Sequence, residues 1–129
     1  MKPILLIIDG MDRSGKTSLI NYINIDRGPI GYKAYSHLHK KDNIPCDYNK
    51  LESELSNINH LCIYLYASER VITNRFKKTK EKPLKQSIKE HLDAFFTFYT
   101  TSILNKVRFD TGKYSTKQIY EKIIKQIAK

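Results

Sequence analysis

Long apolar runs, cysteine clusters and linkers are all missing from this chain of 129 residues. No stretch approaches the roughly 20 apolar residues that a membrane span needs. The run at residues 4–8 is too short and wrongly flanked for a signal peptide, so a cytoplasmic location is expected. Cys46 and Cys62 stand alone, with no C-x-x-C pair and no histidine at ligand spacing, which argues against both a zinc site and a disulfide framework. Both read as reduced, packed thiols. His37 and His39 would point to different faces of a helix, and no carboxylate motif supports them as metal ligands. There is no internal repeat, no low-complexity segment and no Pro/Gly-rich linker, so residues 1–129 are read as one domain. Acidic residues are scarce as well: 13 against 23 basic ones gives a formal charge of +10. Such a surplus invites a nucleic-acid reading. Only five of the basic residues are arginine, however, and the lysines run from one end of the chain to the other, which is the pattern of a solvated surface.

What is present is concentrated near the start. Ile4-Leu5-Leu6-Ile7-Ile8-Asp9 runs directly into Gly10-Met11-Asp12-Arg13-Ser14-Gly15-Lys16-Thr17, a G-x-x-x-x-G-K-T phosphate-cradling loop. The apolar run reads as a strand, and a helix-compatible segment begins after Gly15, which is the context the motif requires. The chemistry explains the spacing. Triphosphate oxygens need several donors at once, and successive backbone N–H groups at a helix N-terminus provide them. Gly10 and Gly15 allow the backbone to wrap closely around the phosphates. Lys16 is placed to bridge the β- and γ-phosphates of ATP, and the Thr17 hydroxyl to bind Mg²⁺. Met11, Asp12, Arg13, Ser14 and Ser18 complete the loop.

Periodicity organises the rest. Residues 3–9, 61–67 and 107–110 read as strands. A short helix from Gly15 to about Tyr22 follows the loop, and Asp26-Arg27-Gly28-Pro29 breaks the pattern. Ile30, Ala34 and Leu38 then recur at helical spacing, as do Leu51, Leu55 and Ile58 after a polar loop. Ser68 reads as the N-cap of a helix carrying Val71, Ile72 and Phe76. The basic, Pro-containing run 77–85 is expected to be exposed and mobile. Ile88, Leu92, Phe95, Phe96, Tyr99 and Ile103 mark one face of a long helix. Ser115 with Gln118 forms a capping box before a closing helix lined by Ile119, Ile123, Ile124 and Ile127. Strands alternating with helices predict an α/β fold with a parallel sheet between helical layers.

The loop I-D-G-M-D-R-S-G-K-T-S resembles the acidic-Gly-x-Asp-Arg-x-Gly-Lys-Ser/Thr variant of the thymidylate kinase-like P-loop nucleoside monophosphate kinases. D-R-G-P-I-G-Y-K-A-Y is similar to that family's Asp-Arg motif. Y-L-Y-A-S-E-R-V-I-T-N-R resembles the strand and arginine-bearing helix that lead into its lid, here near residues 70–86. R-F-D-T-G-K-Y resembles its last strand and nucleotide-side turn. The resemblance implies ATP- and Mg²⁺-dependent phosphoryl transfer to a deoxynucleoside monophosphate, with dTMP as the acceptor. It implies that Arg13 reaches the γ-phosphate and that Asp12 binds the acceptor's sugar hydroxyl. Arg27 would grip the acceptor's 5′-phosphate, and Asp26 would hold Mg²⁺ through water or orient the acceptor. Arg70 and Arg75 would meet adenine or the phosphates. The family's homodimer is implied too, with no membrane or specific nucleic-acid partner.

One departure limits the resemblance. Only nine residues separate Lys16 from Asp26, where the family places a helix, two strands and a further helix. Six helical and three extended residues traverse only about 9 Å each way, against about 23 Å for a seven-residue strand. The sheet is therefore expected to be reduced to three strands plus a stub, and the family's base-reading residues and part of its dimer surface fall in the missing length. Three readings follow: a compact kinase, a trimmed nucleotide binder with weak or no turnover, and a basic nucleic-acid module. A polynucleotide or nucleoside kinase is a variant of the first, because the loop defines the donor more firmly than the acceptor.

Overall fold

The computed structural model describes residues 4–11, 14, 28–38, 47–78 and 87–128. The helix expected after the loop, any strand stub before Asp26, and residues 79–85 of the basic run 77–85 lie outside the described residues; Lys77 and Lys78, its first two, are exposed. So do Asp12, Arg13, Gly15, Lys16, Thr17, Ser18, Asp26, Arg27, His39 and Cys46.

Among the described residues three strands form one parallel sheet in the order β1 (Leu5–Asp9), β2 (His60–Tyr66), β3 (Lys106–Asp110). Five helices accompany them among the described residues: α1 (Pro29–Leu38), α2 (Tyr48–Ser56), α3 (Glu69–Lys77), α4 (Ile88–Thr101) and α5 (Thr116–Ile127). The register pairs Asp9 with Tyr64 and Tyr66 with Asp110, so all three strands end on the same side of the molecule.

Side-chain alternation along the strands builds two cores. Ile7, Cys62 and Tyr64 point to one face and pack with Ile30, Ala34 and Leu38 of α1, Ile72 of α3 and Ala94 and Phe95 of α4. Leu6, Ile8, Leu61, Ile63 and Leu65 point to the other, where Ile119 and Ile123 of α5 cover them. Strand β2 is thus covered on both faces, which is why His-Leu-Cys-Ile-Tyr-Leu-Tyr reads as a nearly unbroken apolar run.

Strand β3 is an edge of the sheet, and its charges are put to structural use. Val107 and Phe109 join the α5 side. On the other face Lys106 Nζ donates to the carbonyls of Tyr99 (2.6 Å), Thr100 (3.3 Å) and Ser102 (2.8 Å). A cation thereby meets the negative end of α4. The Arg108 guanidinium lies over the rings of Tyr66 and Phe96, 5.9 and 5.8 Å from their centroids. At the opposite end of the sheet His60 bridges the starts of β2 and β3. Its Nδ1 donates to Ile58 O (2.7 Å) and its Nε2 accepts from Asn105 N–H (2.9 Å). Glu52 of α2, buried, accepts from Ser102 Oγ (3.0 Å) and pairs with Lys33 Nζ (3.4 Å), tying α1, α2 and the end of α4 together.

Several expected faces need correction. Phe96 is 48% exposed because it lies about 100° around the helix from Phe95, which takes the core position; its ring stacks under Arg108 instead. Ile103 (62% exposed) and Ile58 follow the ends of α4 and α2, where the helical period no longer applies. Ile124 is similarly displaced from Ile123 on α5 and faces outward.

Candidate functional site at the carboxyl ends of the strands

Ligands of parallel α/β sheets bind outside the carboxyl ends of the strands, so the turns after Asp9, Tyr66 and Asp110 are where a site belongs. After Asp9 the chain turns sharply: Ser14 N–H donates to Met11 O (3.1 Å). Gly10 sits against the top of β2. A Cβ there would collide with Ser14 Oγ and lie 2.7 Å from Leu65 O, a backbone atom fixed in the central strand. Glycine is required here by close approach. The Met11 side chain is buried in the α1-side core and anchors the turn from below, so what Met11 can offer a ligand is its backbone. Ser14 is fully buried, and its hydroxyl has no hydrogen-bond partner among the described residues. Three of the predicted loop residues, Gly10, Met11 and Ser14, are therefore together in one turn.

Asp9, the acidic residue of the resembled loop pattern, is a functional candidate to which the sequence reading assigned no role. Its carboxylate is fully buried, and Oδ1 accepts from Gly28 N–H (3.0 Å) and Gly31 N–H (3.1 Å). These are the donors of the N-cap and N3 positions of α1, two of the groups that a helix start leaves unsatisfied. In an ordinary capping box they are satisfied from within the helix. Here one carboxylate from β1 serves both, at the positive end of the helix dipole. Oδ2 faces the Cys62 thiol, which donates across 3.9 Å. Burial, reinforced by the negative Asp9 beside it, pushes the Cys62 thiol well above its usual pKa. Gly28 is as constrained as Gly10, since a Cβ would run into Ile7 Cγ2 and come within 2.8 Å of Asp9 Oδ2. The signals in the sequence were an acid closing an otherwise apolar strand and its match to the acidic position of the resembled loop pattern.

Arg70 and Arg75 occupy different environments on α3. Arg70 is exposed. The Arg75 guanidinium is half-buried and donates twice to Thr111: Nη1 to Oγ1 and Nη2 to the carbonyl, each at 3.0 Å. Thr111 N–H in turn donates to Tyr66 O (2.8 Å). Burial lowers the Arg75 pKa from its usual value, partly offset by Asp110. The turn after β3 is closed by Gly112 N–H donating to Asp110 Oδ1 (2.8 Å) and packs against Val71 of α3. Arg75 therefore fixes this turn to α3, two strands away from the Gly10 turn, or about 10 Å across the sheet. Beneath the site Tyr64 stacks on Phe95 and Tyr66, with Tyr99 tilted against it; burial raises the pKa of both Tyr64 and Tyr99.

A parallel sheet with a tight turn at Gly10, after its first strand, makes this an α/β fold consistent with the P-loop type. The solved structure of the YorR protein from Bacillus subtilis, in complex with phosphorylated GDP, shares it: the TM-score is 0.78 over 96% of this chain and 95% of that one. Sequence identity is 17%, so the likeness is one of fold. No family model matches the chain, and no curated protein matches it in sequence.

Proposed function

We propose that this chain is a compact nucleotide kinase that transfers the terminal phosphoryl group of ATP to a deoxynucleoside monophosphate, with dTMP the acceptor that the motif resemblance implies. The observation that carries the reading is the G-x-x-x-x-G-K-T sequence emerging from the carboxyl end of β1, with Gly10, Met11 and Ser14 already turned over the sheet. YorR, which shares the fold across nearly all of both chains, was solved with a phosphorylated guanine nucleotide. That supports nucleotide binding and gives dGMP as a second acceptor to test.

In this reading Lys16 and the loop N–H groups hold the β- and γ-phosphates, and Arg13 offsets charge on the moving phosphoryl group. Arg27 grips the acceptor's phosphate through its planar fork, and Asp12 binds the sugar hydroxyl. An acceptor phosphate oxygen forms the new P–O bond as the bond to the ADP oxygen breaks, so the protein contributes position and charge rather than a covalent intermediate. Thr17 and Asp26 are oxygen donors of the kind Mg²⁺ requires, and the bond from Gly28 N–H to Asp9, two residues after Asp26 in the chain, supports this reading. Mg²⁺ would supply charge neutralisation of the phosphate oxygens. Arg70 and Arg75 border the donor side, Arg75 by shaping the 110–113 turn.

The test is ADP release with ATP and Mg²⁺, offering dTMP, dGMP and the other deoxynucleoside monophosphates in turn, beside a Lys16→Ala variant. Stimulation by one monophosphate, abolished in the variant, is the expected result. The alternative, a trimmed nucleotide binder, is favoured by the nine-residue link between Lys16 and Asp26. It predicts Lys16-dependent ATP binding with no monophosphate-dependent turnover.

A further inference from the structure

We infer that Asp9 is the positioning residue of the acceptor side: its buried carboxylate, accepting from Gly28 and Gly31, locks the start of α1, which Arg27 directly precedes in the chain, to the strand end from which the phosphate loop emerges. The inference rests on the kinase reading above and gives a role to the acidic residue that precedes the first glycine of the loop.

Asp9 is bonded directly to Gly10 of the phosphate loop, and Gly28 directly follows Arg27 in the chain. A single oxygen atom, Asp9 Oδ1, therefore joins the two sequences that the reaction must bring together. The joint is rigid for three reasons. It is fully buried, so water does not compete for the N–H groups. It uses two donors from one helix start, which fixes the direction of α1 as well as its distance. And Gly28 is pressed against Ile7 Cγ2 and Asp9 Oδ2, so the helix start has no room to slide along β1. Only nine residues separate Lys16 from Asp26. The Asp9 anchor holds the start of α1 at the level of Gly10, where the phosphate loop begins. Asp9 touches no reacting atom in this scheme; it acts through Arg27.

Asp9→Asn keeps the shape and removes the charge that the two N–H groups and the Cys62 thiol address. The expected result is that the acceptor KM rises about tenfold or more while the Kd for ATP-Mg²⁺ stays within about threefold of wild type. Acceptor Kd is measured in parallel by calorimetry with dTMP and dGMP. Unchanged acceptor parameters, or equal losses for ATP and acceptor in a folded variant, would overturn the inference, because a merely structural role would not separate the two substrates. Amide hydrogen exchange on the wild-type protein gives an arm that does not depend on the variant folding. Saturating acceptor should slow exchange at Gly28 and Gly31, and no change there overturns the inference. A wild-type chain that binds a monophosphate without turning it over would sink the kinase reading alone, leaving the acceptor Kd of Asp9→Asn to decide the role of Asp9. A wild type that neither binds nor phosphorylates any monophosphate would overturn both.

Discussion

Cys62 and Tyr64 alternate with Ile63 on the central strand, and both keep their protons in the folded state. Burial is the main cause for each, with Asp9 adding to it for Cys62 and Tyr66 for Tyr64; Tyr99 beside them is shifted the same way. In the unfolded chain the thiol ionises near 9.0 and the phenols near 10.0. Above those values the unfolded state binds fewer protons than the folded one, so stability must fall as pH rises. The stabilisation is complete below pH 9. It is then lost first through Cys62 and, above pH 10, also through Tyr64, at about 1.4 kcal/mol per pH unit for each of the two; the more exposed Tyr99 adds in the same direction but less, because solvent screens it. Urea denaturation between pH 7 and 11 checks this. Cys62→Ala should remove the earliest part of the decline and leave the later part, while stability that holds level from pH 9 to 10.5 would contradict the assignment. At this scale the sequence disclosed some roles and hid others. Gly10 could be read from the loop motif, because the reason for a glycine there is local. Gly28 read as turn chemistry within the Asp-Arg segment, and Asp9 as the end of a strand and the acidic position of the loop pattern, with no contact between the two implied. What constrains them is the approach of α1 to β1, a contact between residues about twenty positions apart that no local spacing encodes.

Elements were more legible than residues. Strand β2 was expected over 61–67 and runs from His60 to Tyr66; β3 was expected from Val107 and begins at Lys106. The caps Ser68, whose hydroxyl accepts from Val71 N–H, and Ser115, paired with Gln118, are where the side-chain chemistry put them. Such signals are local, and so survive without knowledge of tertiary contacts. Faces were less legible at helix ends and edges, as Phe96 shows: a ring expected in the core lies outside under a guanidinium from the edge strand. Helix α3 carries the sharpest case, because Arg70 and Arg75 look equivalent in sequence and are not in the fold. Arg75 holds Thr111 with two bonds, whereas Arg70 is exposed. Arg75→Ala should therefore cost about 1–3 kcal/mol of stability in the ligand-free protein, and Arg70→Ala less than about 0.5 kcal/mol. Chemical denaturation of the two variants without nucleotide is the measurement. Equal and negligible effects would mean that Arg75 has no anchoring role.

For the whole molecule the question is whether phosphate binding, if the proposed function holds, goes through one built site or through the charged surface at large. The two possibilities differ in their linkage to folding. A ligand that binds only the native state at about 100 times its Kd adds about 2.7 kcal/mol, which for a chain of this size is a rise of roughly 10 °C in Tm. If the loop carries the binding, ATP with Mg²⁺ should raise the Tm of the wild type and leave that of Lys16→Ala unmoved. A suitable monophosphate should raise it further, because it engages the segment that Asp9 ties to the loop. Diffuse attraction by the +10 surface would behave otherwise. It would survive Lys16→Ala, since one of 23 basic residues is lost, and it would extend to mixed DNA. It would also collapse between about 50 and 200 mM salt, because release of condensed counterions drives it. Thermal shifts of both proteins with ATP-Mg²⁺ and with duplex DNA, at those two salt concentrations, separate the cases. A Lys16-dependent shift that persists at the higher salt assigns recognition to the turn above β1. A shift that is independent of Lys16 and vanishes with salt would return the chain to the basic-module reading.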